Sequence, residues 1–250
     1  MLRRSLLRGA AASALACATR PAFGFGPSGK VDVAELQLST GTISRPEAWK
    51  RLLFEAIQTT SVETEPRAVQ LAPHDPALFE HPFAVLCGDG GFPPLSDLAR
   101  QQLVRYLSYG GFLLIDDASG TAGSDFDISA RRLMLDLFPT RPLETLSTEH
   151  SIYRSFFLLG EPAGRVRVSR VLEGVAHVTT HPLVYSRNDI SGALDRRADG
   201  TDALPCTPGG EDQRREAVKL ALNLLLYALT SNYKHDQAHT DQLMREGRIE

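Results

Sequence analysis

Cysteine, tryptophan and long apolar runs are all scarce: the 250-residue chain has three Cys and one Trp. The few cysteines exclude a disulfide-framework fold, because such scaffolds are short and cysteine-dense. Cys17 lies in the amino-terminal leader, which leaves Cys87 in an apolar run and Cys206 in a Pro/Gly loop, with no spacing that demands their pairing. A basic excess is also missing. The first 26 residues hold Arg3, Arg4, Arg8 and Arg20 and no acid, so the remainder sets 23 basic residues against 30 acidic ones, a net −7. That balance gives no electrostatic footprint for nucleic acid. Internal repeats and heptads are absent, which excludes solenoids and coiled coils.

What is present begins with an export signal. Residues 1–26 are laid out as a basic start, an uncharged stretch from Gly9 to Ala18 and a small-residue region. Arg3-Arg4-Ser5-Leu6-Leu7-Arg8 resembles the twin-arginine consensus, and Arg20 disfavours the general secretion route. The uncharged stretch is too short for a membrane span, which needs about 20 residues. Cleavage is compatible with Ala16, Ala18 or Gly24. Ala14-Leu15-Ala16-Cys17 offers an alternative lipoprotein box, acylated at Cys17, with Ala where Leu is preferred at its first position. The expected partner during export is the twin-arginine translocase, and the expected destination is the periplasm or cell envelope.

Beyond the leader, residues 27–234 are long enough for one domain with a substantial core, followed by a polar tail at 235–250. Val31 to Leu38 reads as a first strand with a slip in its alternation. Trp49, Leu52, Leu53, Ala56 and Ile57 form one helical stripe behind Pro46. A short strand is expected at 68–71. Phe83 to Cys87 and Phe112 to Ile115 are continuous apolar runs, as buried parallel strands require. Between them a helix capped by Ser96 carries Leu98, Ala99, Leu103, Tyr106 and Leu107 and stops at Gly110-Gly111. Strand, helix and strand make a βαβ unit, and the fold class is α/β with a mainly parallel sheet.

A further helix carries Ala130, Leu133, Met134, Leu137 and Phe138. The pattern then weakens, suggesting a helical turn and extended piece over 152–159, an edge strand over 166–171, strands at 175–179 and 183–185, and a polar loop over 196–210. Residues 217–229 form an apolar core helix interrupted by Lys219 and Asn223, too short to span a bilayer.

Several segments together resemble a bacterial domain-of-unknown-function family, number 4159. They are the helix around Trp49, the Phe83 to Phe92 run, the Gly110 to Asp117 strand, Glu149-His150-Ser151-Ile152-Tyr153, Tyr185-Ser186-Arg187-Asn188-Asp189, and 223–233. The resemblance implies a flavodoxin-like, three-layer fold similar to class I glutamine amidotransferases, and no established activity or cofactor. Those enzymes place a nucleophilic cysteine in a Gly-x-Cys-x-Gly turn. Here the aligned strand ends in Asp116-Asp117-Ala118-Ser119-Gly120, so glutamine hydrolysis by that route is not expected.

In open parallel sheets, ligands collect beyond the carboxyl ends of the strands. That rule gathers Gly88, Asp89, Gly90, Gly91, Asp116, Asp117, Arg187, Asn188 and Asp189 as candidate ligand contacts, with His150 facing the same cleft. Asp89, Asp116 and Asp117 are the candidate metal ligands or general acid and base. The same residues also suit turns and helix caps. His74, His81, His150, His177 and His181 are scattered and form no helical zinc pair. Two functions are therefore expected from different classes: a non-catalytic domain that binds a small ligand or envelope protein, or an exported, metal-dependent hydrolase using the strand-end carboxylates. Convergence of the three carboxylates in a cleft separates them.

Overall fold

The computed structural model describes residues 30–245, with side chains through Ser231. The expected export signal at 1–26 lies outside the described residues. Seven strands form one sheet in the order β2-β1-β3-β4-β7-β6-β5. They are β1 (Val31–Leu36), β2 (Thr64–Leu71), β3 (Phe83–Gly88), β4 (Phe112–Asp117), β5 (Leu143–Leu146), β6 (Leu172–His177) and β7 (Thr180–Ser186). β6 runs antiparallel to both neighbours, while the pairs from β2 through β7 on the other side are all parallel.

Helices cover both faces. α1 (Pro46–Thr59), α4 (Ile190–Leu194) and α5 (Gly210–Arg245) bury one face of the sheet, and α2 (Asp97–Ser108) and α3 (Asp125–Leu137) the other. Every residue of β3 and β4 is buried, which is why both read as unbroken apolar runs. Ser96 caps α2 by accepting from Ala99 N at 3.2 Å, and Ser124 caps α3 by accepting from Asp127 N at 2.9 Å. Gly110 takes φ +98° at the turn from α2 into β4. Among the described residues no helix is long and apolar enough to cross a membrane.

Several expectations need correction. Ile57 and Leu98, assigned to buried stripes, are 42% and 55% exposed. Each lies at the border of its apolar arc, where the helix turns away from the sheet. β2 begins at Thr64 and runs through Pro66, which an edge strand tolerates because one side has no ladder to complete. The expected strand over 166–171 does not form; that backbone is engaged by side chains instead. β6 and β7 make a hairpin around Val178-Thr179, with Pro182 inside β7 beside a register shift in the β6 pairing. The short strand β5 and the short helix α4 carry too little periodicity to be read from sequence. α5 starts seven residues before the expected core helix and continues into the polar tail.

Candidate functional site

The strand order reverses direction between β1 and β3, where a doubly wound sheet opens its ligand crevice. Here the chain's own backbone fills that gap. Thr42 makes an antiparallel bridge with Gly88, Ile43 N donates to Cys87 O at 2.9 Å, and Gly90 N donates to Gly41 O at 3.4 Å. A Cβ on Gly88 would stand 2.0 Å from Gly41 O and 2.4 Å from the Phe126 ring. That glycine therefore serves backbone packing. Gly90 and Gly91 belong to the same contact, and Asp89 is exposed beside them.

Asp116 and Asp117 are consecutive in β4 and so leave opposite faces of the sheet. Both are fully buried. Asp116 accepts from Ile190 N at 2.9 Å and Ser191 N at 2.8 Å, closing the start of α4. Around it, Arg45 Nη1 donates to Asp189 and, at 3.0 Å, to Ser191 Oγ, and Cys87 Sγ lies 3.1 Å from Ser191 Oγ. Asp189 sits at the end of β7 with φ +55°, accepts from Gly192 N at 2.9 Å, and is held from a second side by Arg165 Nε. Burial, then the neighbouring Asp189 charge, pushes the Asp116 carboxyl up to about 6. Burial and the Asp116 charge push the Cys87 thiol well up, which favours its protonated form. Burial opposes the Arg45 cation, but Asp189, Cys87 and Asp116 together more than offset it.

On the other face Asp117 accepts from Ser119 N and Ser124 Oγ, both at 2.9 Å, fixing the turn into α3. Next to it Tyr185 donates to Asp127 Oδ1 at 2.7 Å, and Arg131 links Asp127 to Glu173. Burial and the Asp127 hydrogen bond raise the Tyr185 phenol strongly. Arg187 extends the network by donating to Ser169 Oγ at 3.2 Å, with its Nε 3.6 Å from Glu173.

Residues 155–171 have no regular structure, yet Leu159, Pro162, Ala163, Gly164 and Ser169 within this strap are buried. Buried backbone groups need partners, and three carboxamides supply them. Asn188 Oδ1 accepts from Val168 N and Ser169 N at 2.9 and 2.8 Å, while its Nδ2 donates to Pro162 O and Ser169 O at 2.9 and 2.8 Å. Gln213 donates to Gly164 O, Arg165 O and Thr207 O within 3.0 Å. Asn223 accepts from Phe156 N and Phe157 N and donates to Ile152 O and Phe157 O. The strap thereby roofs the carboxyl ends of β4 and β7: Arg165 N and Val166 N donate to Asp189 O and Asn188 O, and Arg165 Nη2 reaches Ala118 O at 3.3 Å.

The structure thus brings Asp116, Asn188 and Asp189 together and separates Asp117, Arg187 and Asp89 from them. The three carboxylates proposed for metal or acid–base work do not converge, since the two buried ones are committed to opposite caps. Among the described residues no group of three His, Cys, Asp or Glu is arranged to hold a metal ion. His150 does not face the strand ends. It caps a 3₁₀ turn, and its Nε2 meets His181 Nδ1 at 3.0 Å near the start of β7. Because His150 Nδ1 accepts from Ile152 N at 3.2 Å, the proton lies on Nε2 and the pair is an N–H···N hydrogen bond. Burial, then His181, lowers the His150 imidazole to about 4.

Sequence reasoning missed Arg45, Arg165 and Gln213. Asn223, a lone carboxamide in an otherwise apolar helix, was the visible signal that a buried backbone segment needed a partner. Both remaining cysteines are buried and free.

Fold and network together define a mainly parallel α/β domain whose strand-end polar cluster is sealed by its own loops. The chain belongs to the family described as a domain of unknown function, DUF4159, whose model matches residues 32–229. No curated protein matches it.

Proposed function

We propose that this chain, exported by the twin-arginine route to the periplasm or cell envelope, is a non-catalytic binding domain built on an amidotransferase-like, flavodoxin-type sheet. The observation that carries the reading is the filled crevice: residues 41–43 occupy the β1/β3 gap and the strap covers β4 and β7. Carboxylates sealed in this way have no route to a substrate. The order β2-β1-β3-β4-β7 follows the 2-1-3-4-5 order of flavodoxin-like sheets, and acids stand where an amidotransferase needs its cysteine. Both support kinship without glutamine hydrolysis.

A binding surface is available elsewhere. A groove of about 340 Å³ is lined by Thr148, Tyr153, Arg154, Leu158, Leu159 and Gly160. Leu158 is 87% exposed there and Phe156 nearby is 48% exposed. Apolar side chains gathered at a concave rim suit recognition of a small ligand or an envelope protein.

Thermal-shift screening of the full chain against sugars, cell-wall fragments and divalent cations tests the reading, with Leu158→Asp and Arg154→Ala in the groove and Asp116→Asn at the strand ends. Stabilisation lost in the groove variants and kept in Asp116→Asn supports it. Hydrolysis of an ester or phosphoester panel that disappears in Asp116→Asn overturns it. Undiminished export after replacing Arg3-Arg4 with Lys-Lys refutes the route.

A further inference from the structure

We propose that the His150–His181 pair is an acid-operated latch on the groove: neutral, it holds residues 147–151 against β7 and α5, and uptake of one proton lets them swing away. Its effect on a ligand rests on the groove being the binding surface, whereas the latch itself does not.

The hydrogen bonds of the pair run in one direction. Ile152 N donates to His150 Nδ1 at 3.2 Å, His150 Nε2 donates to His181 Nδ1 at 3.0 Å, and His181 Nε2 stands 3.6 Å from Glu144 Oε2. Each neutral ring has one lone pair to accept with, and both are in use. A proton added to either ring therefore displaces a donor already in place, Ile152 N–H from His150 or His150 N–H from His181. His181 Nε2 is buried with no hydrogen-bond partner among the described residues, and Glu144 is placed to draw an imidazolium outward. The His181 ring fits because position 174 is glycine: a Cβ there would stand 3.2 Å from His181 Cδ2.

The titratable and charged groups around the pair are Glu144 on β5, Tyr227 on α5, and His177 at the end of β6, which Arg141 engages. On the side of the 3₁₀ turn Ser151–Arg154 they are Tyr153 and the Glu149–Arg154 ion pair. Tyr227 accepts from His181 N at 2.8 Å, and its ring lies 5.5 Å from that of His150. Ile152 and Tyr153 are pinned separately, by Asn223 donating to Ile152 O and by Leu172 N donating to the Tyr153 hydroxyl. The part set free is thus 147–151. It carries Thr148 of the groove wall, and Arg154 is tied to it through Thr148 O and Glu149. Burial, then His181, lowers the closed His150 imidazole to about 4, against 6.5 for an open one. The closed form is therefore fully favoured above 6.5 and loses that advantage as pH falls toward 4.

The test is amide exchange of the full chain without ligand, expressed relative to free peptide so that the intrinsic pH dependence cancels. Protection at Ile152 and over 147–151 should fall on the order of 30-fold from pH 7 to pH 4, less than the full gap because solvent screens a half-buried site. β3 and β4 should stay protected. His150→Asn keeps an acceptor for Ile152 N–H that does not titrate, and should abolish the pH dependence. Glu144→Gln should move the release to lower pH. The latch is overturned if protection at Ile152 is equal at pH 7 and pH 4, if it falls as far in His150→Asn, or if β3 and β4 lose protection with it, which is global acid unfolding. Thermal-shift ligands that bind the groove variants as they bind the parent count against the groove reading alone, since the exchange experiment contains no ligand.

Discussion

The region from β1 through α3 and the strap over 155–171 both pack against the sheet, yet different forces hold them. In the first region, apolar runs and stripes place Trp49, Leu52, Phe83, Leu114, Leu133 and their neighbours in two dry layers on either side of the sheet. Stabilisation there scales with apolar area removed from water, about 25 cal/mol per Å². The strap has few such residues and no ladder of its own. It stays in place because Asn188, Gln213 and Asn223 replace the backbone partners that a strand or helix would have given it. Hydrophobic packing tolerates many side chains of suitable size, whereas a carboxamide that both donates and accepts has no equivalent substitute.

The largest test of this contrast is Asn188→Ala. It leaves Val168 N–H, Ser169 N–H and the Pro162 carbonyl without the partners they now have. A loss of about 4 kcal/mol is expected, comparable with Leu114→Ala in the sheet. The two variants should differ in kind. Hydrogen exchange in Asn188→Ala should rise first over 161–171 while β3 and β4 stay protected, whereas Leu114→Ala should lower protection throughout. Uniform loss in both would erase the distinction.

A second test uses pH. Burial and the Asp189 charge raise the Asp116 carboxyl to about 6 in the fold, above the ordinary 3.8 of an aspartate in an unfolded chain. Between those values the folded chain holds a proton that the unfolded chain has released, so stability should fall as pH rises from about 4 to about 6, by on the order of 2 kcal/mol. Asp116→Asn should remove that slope in urea titrations. Asp32 behaves oppositely. Burial raises its carboxyl, but hydrogen bonds from His81 and Arg67 outweigh burial and lower it. Its contribution is complete above the unfolded value and is lost as pH falls below it.

Smaller effects follow. Ser124→Ala removes both the α3 cap and a hydrogen bond to Asp117, and about 1 kcal/mol should be lost in denaturant melts. Leu158→Asp, at an exposed strap position, should change stability by less than about 0.5 kcal/mol. A larger loss would mean that the strap depends on apolar packing after all.

Much of the first region was legible. Phe83-Ala84-Val85-Leu86-Cys87 and Phe112-Leu113-Leu114-Ile115 name themselves as buried strands, and Ser96 marks the start of α2 in the residue itself. The site was legible only in part. Its acids were found, but Asp116 and Asp117 were grouped although alternation along a strand sends neighbours to opposite faces. Arg45 and Arg165 could not be found, because pairing with Asp189 spans 144 and 24 residues of sequence. Nothing local records such a contact.

By itself the sequence determined the α/β class, the amphipathic helices and the buried central strands, because periodicity, caps and runs are local and repeat themselves. Tertiary structure alone decided that the strand-end crevice is closed. Whether Gly88 meets a ligand or Gly41, and whether Asn188 faces solvent or a folded-back strap, depends on which distant segments arrive, and only the packed chain contains that information.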